Sequence, residues 1–299
     1  MIFLLLIIYL TYFLIQNKIH NKKERQEKRE RELIKEGKGE IYPLWFKKKL
    51  IMHSLGGYKN FNYVNSLESL KYWYFEKKMN LMEADFMLTK DNHTVLTHDF
   101  GDLMFVPTLE EFKKLRAKGN TTRMSFKDLV LFMIENKDLY IITDTKYSDI
   151  ERIEIEFDEM TSILNNHTEL YERFIIEIYN EKMYLFLKEK NYPDKYFIFT
   201  MYQRWDFSIG FHDFENILDF CKRNKIIAIL MFSFLFNENI LQLTRNYSMP
   251  IYLHTVNNIT EAVNFMKRGV KGIITDNISD ELLDKYLLVQ NIKLNYSNI

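Results

Sequence analysis

From residue 49 onward, short apolar runs alternate with amphipathic segments, and this alternation limits the possible folds more than any other feature of the chain. The apolar runs, predicted as strands, are residues 49–52, 81–88, 139–143, 174–178, 196–201, 226–231, 250–254 and 272–275. The amphipathic segments, predicted as helices, are residues 67–78, 125–135, 150–164, 182–189, 214–223, 240–246, 259–268 and 280–288. Strands that alternate with helices indicate a parallel sheet, and eight such pairs predict an α/β protein with a closed (β/α)8 barrel, the TIM barrel.

An open, doubly wound sheet is the alternative, but no Gly-rich phosphate loop supports a nucleotide site there. With 299 residues, of which 47% are hydrophobic, the chain is long enough for one barrel-sized domain. Lys+Arg and Asp+Glu both total 41, so no general basic field favours a nucleic-acid partner. The single cysteine, Cys221, excludes an intramolecular disulfide and a cysteine-based zinc site.

Residues 2–15 carry no charge and form the strongest apolar stretch of the chain. The stretch is slightly shorter than the roughly 20 residues that span a bilayer. A cleavable signal fits less well, because no Lys or Arg precedes the stretch and no small-residue cleavage site follows it. We therefore expect an N-terminal hydrophobic helix at residues 1–17 that acts as a membrane anchor, with a signal segment as the alternative and a buried core helix as a third interpretation.

Residues 18–40 interleave basic and acidic side chains, which predicts a solvated helix or stalk. We expect a charged linker over residues 18–46 and the barrel domain over residues 47–291. The expected location is membrane-anchored through a single N-terminal helix. The positive-inside rule favours a cytoplasmic barrel, whereas a domain on the other side would contradict that rule, and the side of the membrane stays open.

Three acidic side chains lie where predicted strands end. Glu83 and Asp85 are two apart on one strand, so both point to the same face, and Asp144 directly follows the strand at 139–143. Three converging carboxylates repel each other in a partly dry cleft, and a bound cation relieves that repulsion. Because all three would supply oxygen, the expected cofactor is a hard divalent cation, Mg²⁺ or Ca²⁺.

Two histidines, His53 and His98, follow strand-like runs on either side of this acidic pair. An imidazole with an ordinary pKa of about 6.5 can act as acid or base near neutrality, so we predict a catalytic pair, without assigning which is which. Lys146 shares the face of Asp144 and can offset charge or hold a phosphate oxygen. His254 and Trp205 come at or after later strands and are predicted substrate contacts.

As a linked set, these motifs resemble the glycerophosphodiester phosphodiesterases, within the superfamily that shares a barrel with phosphatidylinositol-specific phospholipase C. The resemblance covers about residues 50–278 and rests on His53-x-x-Gly56-Gly57, Glu83-Ala84-Asp85, Thr97-His98-Asp99, Thr143-Asp144-Thr145-Lys146, His254-Thr255-Val256-Asn257 and Gly272-Ile273-Ile274-Thr275-Asp276. It implies a TIM barrel, a divalent metal on Glu83, Asp85 and Asp144, and catalysis by His53 and His98.

Departures from the family pattern affect the substrate more than the reaction. Ser54 stands where members usually carry Arg, and Asp144 replaces the usual Glu in an Asp-x-Lys arrangement that is similar to spider-type sphingomyelinase D. We expect a metal-dependent phosphodiesterase that acts on a small-molecule glycerophosphodiester or a phospholipid headgroup, with attack by water or by a neighbouring hydroxyl of the substrate. The alternatives are a catalytically silent barrel that binds a phosphorylated ligand or partner at the membrane, and a TIM-barrel enzyme of unrelated chemistry, in which the three carboxylates would lie far apart.

Overall fold

The computed structural model describes residues 43–192, 196–201 and 211–291, with the side chains of residues 211–213 left aside. The chain divides into two units, Met1–Lys47 and Lys48–Ile299. The described part of the first unit is residues 43–47, with a 3-10 turn at Leu44–Lys47. The predicted hydrophobic helix at residues 1–17 and nearly all of the predicted linker at 18–46 lie outside the described residues.

Eight parallel strands form a closed barrel in the second unit, which confirms the predicted fold class. The strands are β1 (Leu50–Met52), β2 (Leu81–Leu88), β3 (Tyr140–Thr145), β4 (Phe174–Ile178), β5 (Tyr196–Thr200), β6 (Ala228–Phe232), β7 (Ile251–His254) and β8 (Gly272–Thr275). The sheet closes because β1 pairs with β8 on one side and with β2 on the other, where Met52 lies opposite Met82. The alternative of an open sheet is therefore wrong.

Helices follow the barrel strands and cover the outside of the sheet. They are α1 (Leu67–Lys71), α2 (Leu109–Lys114), α3 (Phe126–Glu135), α4 (Ile150–Leu164), α5 (Glu181–Glu189), α6 (Phe211–Arg223), α7 (Glu238–Asn246), α8 (Ile259–Arg268) and α9 (Asp280–Val289). Several begin at a Ser or Asn whose side chain accepts a backbone N–H of the first turn, as Ser125 does for α3 and Asn180 for α5. The helix predicted at 67–78 is divided into α1 and a π turn at Tyr72–Glu76.

Strand β2 shows how the barrel separates its core from its site. Met82, Ala84 and Phe86 belong to the hydrophobic core between sheet and helices. Side chains alternate along a strand, so Glu83 and Asp85 point the other way, into the barrel. Both acidic residues are buried in spite of their charge, which requires partners.

A short antiparallel strand, Thr94–Leu96, adds to the edge of β2 and was not predicted from the sequence. Its residues pair with the second half of β2, with Leu96 opposite Phe86 and Thr94 opposite Leu88. The hairpin brings the chain back along β2 until the Thr97 N–H donates to the Asp85 backbone oxygen at 3.1 Å. It thereby positions the segment that carries His98.

The predicted membrane-anchored location is corrected by the structure. Among the described residues, no helix is both long and apolar enough to cross a membrane. The longest of these helices, α4, has 15 residues and carries several acidic side chains, whereas a span needs roughly 20 mostly apolar residues. The location had been inferred from residues 1–17, which the described ranges do not include.

Candidate active site

Three acidic side chains meet inside the barrel at the ends of two neighbouring strands. Glu83 and Asp85 come from β2, and Asp144 comes from β3 directly opposite Asp85 in the parallel register. One oxygen of each carboxylate lies within 4.8 Å of an oxygen of the other two, and all three side chains are buried. The third possibility from the sequence, carboxylates far apart, is therefore wrong.

Backbone and side-chain donors hold the two carboxylates of β2 in place. The Ser54 N–H donates to Glu83 Oε2 at 2.7 Å, and the Ser54 hydroxyl donates to Asp85 Oδ2 at 2.6 Å. Asn65 Nδ2 donates to the same Asp85 oxygen at 2.6 Å. Glu83 Oε1, by contrast, is buried and has no hydrogen-bond partner among the described residues.

Lys146 supplies the positive charge nearest to this acidic group. Its ammonium forms ion pairs with both Asp85 and Asp144, and the Tyr179 hydroxyl also donates to Asp144. Burial alone would lower the pKa of Lys146, but the surrounding carboxylates, Asp144 and Asp85 first, hold that pKa well above its ordinary value. Lys146 therefore stays charged and offsets one of the three negative charges.

The pKa values of the two β2 carboxylates are shifted in opposite directions. Burial, followed by the charges of Asp85 and Asp144, raises the pKa of Glu83 well above its ordinary value. Burial also acts to raise the pKa of Asp85, but the charges of Lys146 and the nearby histidines outweigh it and hold that pKa below its ordinary value. A further positive charge beside Glu83 would thus be favourable.

His53 follows β1 and is fixed by a buried carboxylate. Its Nδ1 lies 2.9 Å from Asp276 Oδ1, and Asn257 Nδ2 donates to the other oxygen of Asp276 at 2.6 Å. The Asn257 side-chain oxygen accepts the Asp276 backbone N–H at 2.8 Å, which locks the pair together. With Nδ1 occupied by a carboxylate, Nε2 is the ring nitrogen left to exchange a proton.

His98 has a similar but more exposed partner. Its Nδ1 lies 2.8 Å from Asp99 Oδ2, and the Gly101 N–H donates to the other oxygen of Asp99 at 2.8 Å. The Tyr63 ring stands between the two histidines, with ring centroids 4.6 Å from His53 and 4.9 Å from His98. Both imidazoles therefore flank one aromatic side chain.

One cavity of about 290 Å³ brings most of the candidate residues together. It is lined by His53, Tyr63, His98, Asp144, Thr145, Lys146, Tyr179, Phe232, His254 and Thr255. His254 is buried at the end of β7, and burial, with the positive charges of His53 and Lys146, lowers its pKa well below the ordinary value. Trp205, the other predicted substrate contact, lies outside the described residues.

The donor set fits a hard divalent cation. All three side chains offer carboxylate oxygen, which Mg²⁺ and Ca²⁺ prefer, and Glu83 Oε1 is a buried acceptor without a partner among the described residues. The partial compensation by Lys146 leaves two negative charges when all three carboxylates are ionised. Glu83, Asp85 and Asp144 are thus the residues that could hold such an ion.

The sequence interpretation missed several side chains that the fold brings to the site. Asp276 and Asn257 had been quoted only as parts of motifs, and Tyr63 had been given no role. Glu177, on β4, is fully buried, accepts a hydrogen bond from the Thr200 hydroxyl at 2.9 Å, and has its pKa raised by burial and then by the charge of Asp144. A lone Glu in a buried strand was the available signal for Glu177, which had been set aside in favour of His254 and Trp205.

Comparison with known proteins gives the family. The sequence model of the glycerophosphoryl diester phosphodiesterase family matches residues 56–280, which is most of the chain. The chain belongs to this family. That membership makes it an enzyme of the phosphoric diester hydrolase class, and it confirms the resemblance. His53 lies just before the matched range, so its place beside Asp276 comes from the structure.

Solved structures of low sequence identity support the fold of this chain. A glycerophosphodiester phosphodiesterase from Parabacteroides distasonis is 19% identical, with a TM-score of 0.61 over 82% of this chain and 98% of that chain. An Oleispira antarctica phosphodiesterase in complex with the product sn-glycerol-3-phosphate is 14% identical, with a TM-score of 0.61 over the same shares. A Thermotoga maritima glycerophosphodiester phosphodiesterase is 18% identical, with a TM-score of 0.56 over 80% of this chain and 97% of that chain. No curated protein sequence matches the chain.

Proposed function

We propose that the chain is a metal-dependent phosphodiesterase that cleaves glycerophosphodiesters or phospholipid headgroup phosphodiesters by paired histidine catalysis. The observation that carries the proposal is the arrangement of one cavity, in which His53 and His98 flank Tyr63 while Asp144 and Lys146 line the wall. Acid–base groups and charge-stabilising groups thus face the same space, which is what a phosphoryl reaction requires.

The two histidines divide the proton transfers. One imidazole accepts the proton of the nucleophile, which is water or a neighbouring hydroxyl of the substrate, as the new P–O bond forms. The other imidazole donates a proton to the alkoxide that leaves as the old P–O bond breaks. With water the products are a phosphomonoester and an alcohol; with a neighbouring hydroxyl they are a cyclic phosphate and an alcohol.

Asp276 and Asp99 keep these imidazoles oriented. Each carboxylate accepts from Nδ1 of its histidine, at 2.9 Å for His53 and 2.8 Å for His98, so that Nε2 is available to the substrate. A carboxylate beside Nδ1 also stabilises the imidazolium that forms during the reaction. The two histidines are therefore prepared for opposite roles in one turnover.

Lys146 offsets negative charge on the phosphate, and Glu83, Asp85 and Asp144 would hold a divalent cation, Mg²⁺ or Ca²⁺. When bound, such a cation would supply further positive charge for the non-bridging oxygens. Lys146 already lines the cavity with its ammonium and can reach a phosphate oxygen. His254 contributes a neutral imidazole to the same wall, where it can accept a hydrogen bond from the substrate or donate one to it.

The substrate class follows from the family and from one structural neighbour. That neighbour, the Oleispira antarctica phosphodiesterase, is in complex with sn-glycerol-3-phosphate. A cavity of about 290 Å³ can hold a ligand of the size of sn-glycerol 3-phosphate. We therefore propose that the glycerophosphate part of the substrate occupies this cavity and that the variable alcohol points toward its mouth.

A substrate panel tests the proposal. Glycerophosphocholine, glycerophosphoinositol, a lysophospholipid and phosphatidylinositol are incubated with the full chain and Mg²⁺ or Ca²⁺, and then with EDTA. We expect turnover of at least one substrate, loss of turnover with EDTA, and a fall of about 100-fold or more in His53→Ala and in His98→Ala.

His93→Ala is the matched control, because His93 pairs with Glu159 at 2.8 Å and does not line the cavity. It should keep the activity of the unchanged chain. Turnover that EDTA and His53→Ala leave intact would contradict the proposal. Turnover of none of these substrates would contradict the proposed substrate class.

A further inference from the structure

The loop after β1 turns sharply so that Ser54 faces the acidic group. Ser54 has φ 49° and ψ 44°, and Leu55 has φ 62°. Two consecutive residues thus adopt the left-handed backbone conformation, which residues other than glycine rarely adopt. This turn aims the backbone N–H and the hydroxyl of Ser54 at β2. Two neighbouring carboxylates are thereby contacted by one small residue.

We propose that Ser54 is a positioning residue that fixes Glu83 and Asp85 as ligands for the divalent cation. The inference rests on the proposed function, because it concerns the same cation site. Ser54 touches neither substrate nor cation in this scheme and acts through the two carboxylates. Its backbone N–H holds Glu83 Oε2 at 2.7 Å, and its hydroxyl holds Asp85 Oδ2 at 2.6 Å.

The hydrogen bonds assign different roles to the oxygens of these carboxylates. Asp85 Oδ2 accepts from both Ser54 and Asn65, so it is committed to the protein. Glu83 Oε2 accepts from the Ser54 N–H, whereas Glu83 Oε1 has no partner among the described residues. The other two oxygens, Glu83 Oε1 and Asp85 Oδ1, are therefore the ones left for a cation, which would share Asp85 Oδ1 with the Lys146 ammonium.

This arrangement prepares the ligands before a cation binds. A carboxylate that is held by one oxygen cannot rotate freely. Its side chain therefore loses less conformational entropy when the cation binds. Outer hydrogen-bond partners of metal ligands commonly change metal affinity or activity by about 10- to 100-fold when they are removed. Asn65 continues to hold Asp85 Oδ2 after loss of the Ser54 hydroxyl, so we expect the lower end of that range.

Ser54→Gly isolates the hydroxyl. Glycine adopts a positive φ without strain and keeps the backbone N–H that binds Glu83, so the turn should be preserved. Ser54→Ala is the second variant, in case the glycine loop does not fold as before. Ser69→Ala is the matched control, since the Ser69 hydroxyl is also buried and holds the same loop through the Leu55 carbonyl at 2.9 Å, without contacting an acidic residue.

Titration calorimetry of each full-length variant with Mg²⁺ alone and with Ca²⁺ alone gives the cation affinity without an activity assay. We expect about 10-fold weaker binding in Ser54→Gly and Ser54→Ala, and a change of less than twofold in Ser69→Ala. Turnover of Ser54→Gly should fall at limiting cation and recover to within a few-fold of the wild type at saturating cation.

Equal cation affinity in Ser54→Gly and the wild type would overturn the inference while leaving the proposed function intact. The same loss in Ser69→Ala would also overturn it, since the loop and not the hydroxyl would then set the affinity. A wild-type chain that binds neither cation would show instead that the proposed cation site is wrong, and the inference would fall with it.

Discussion

Replacement of Asp276 by Asn tests whether the carboxylate behind His53 contributes to the reaction. The change keeps the size of the side chain and can keep a hydrogen bond with Asn257. It removes the negative charge that faces His53 Nδ1 at 2.9 Å in a buried setting. The imidazolium that forms at His53 during the proton transfer would then lose its charged partner.

The expected loss follows from the strength of this contact. Hydrogen bonds to charged groups contribute about 1.5–3 kcal/mol, and such a loss confined to the transition state lowers kcat roughly 10- to 160-fold. We therefore expect Asp276→Asn to lower kcat by this factor and to change KM by less than threefold, because Asp276 does not line the cavity that would hold the substrate.

The assay is steady-state turnover of the best substrate from the panel at saturating Mg²⁺ or Ca²⁺. Asp280→Asn is the control, since Asp280 forms a half-exposed ion pair with Lys48 at 3.4 Å, away from the histidines. A kcat of Asp276→Asn within threefold of the unchanged chain would refute the orienting role. A large rise in KM with unchanged kcat would refute it as well.

Three further predictions concern buried polar groups around the candidate site. Burial raises the pKa of Glu156 to about 8, so at pH 5–8 the folded state holds a proton that the unfolded state has lost. Glu156 should therefore contribute a fall in the free energy of unfolding of about 1.4 kcal/mol per pH unit across this window, and urea unfolding of Glu156→Gln should show a fall smaller by this amount. Lys146→Met leaves Asp85 and Asp144 without their positive partner, so in EDTA its free energy of unfolding should drop by about 3 kcal/mol, and added Ca²⁺ should restore more stability than in the wild type. Tyr179→Phe removes a donor to Asp144, and calorimetry should show about 10-fold weaker cation binding.

The barrel was predictable from the sequence because its strands are apolar and its helices are amphipathic. Strand β4, predicted at residues 174–178, has the same bounds in the structure, whereas β6 was predicted to begin two residues too early and to end one residue too early. The strand Thr94–Leu96 was missed, since three residues next to a turn carry too little pattern to be recognised. Its pairing with β2 depends on contacts across the hairpin.

The acidic residues of the candidate site were predictable because they follow the two-residue alternation of side chains in a strand and lie where strands end. Glu83 and Asp85 alternate with core residues, and the parallel register places Asp144 opposite Asp85. The partners of the histidines were not predictable in the same way. Asp276 lies 223 positions from His53 in the chain, and only closure of the sheet between β1 and β8 brings them together.

A crystal structure of the full chain with Ca²⁺ and sn-glycerol 3-phosphate would test the central proposal most directly. We predict one cation bound by oxygens of Glu83, Asp85 and Asp144, with the phosphate of the ligand against Lys146 and between His53 Nε2 and His98 Nε2. A cation bound elsewhere, or a phosphate that neither histidine contacts, would contradict the proposed mechanism.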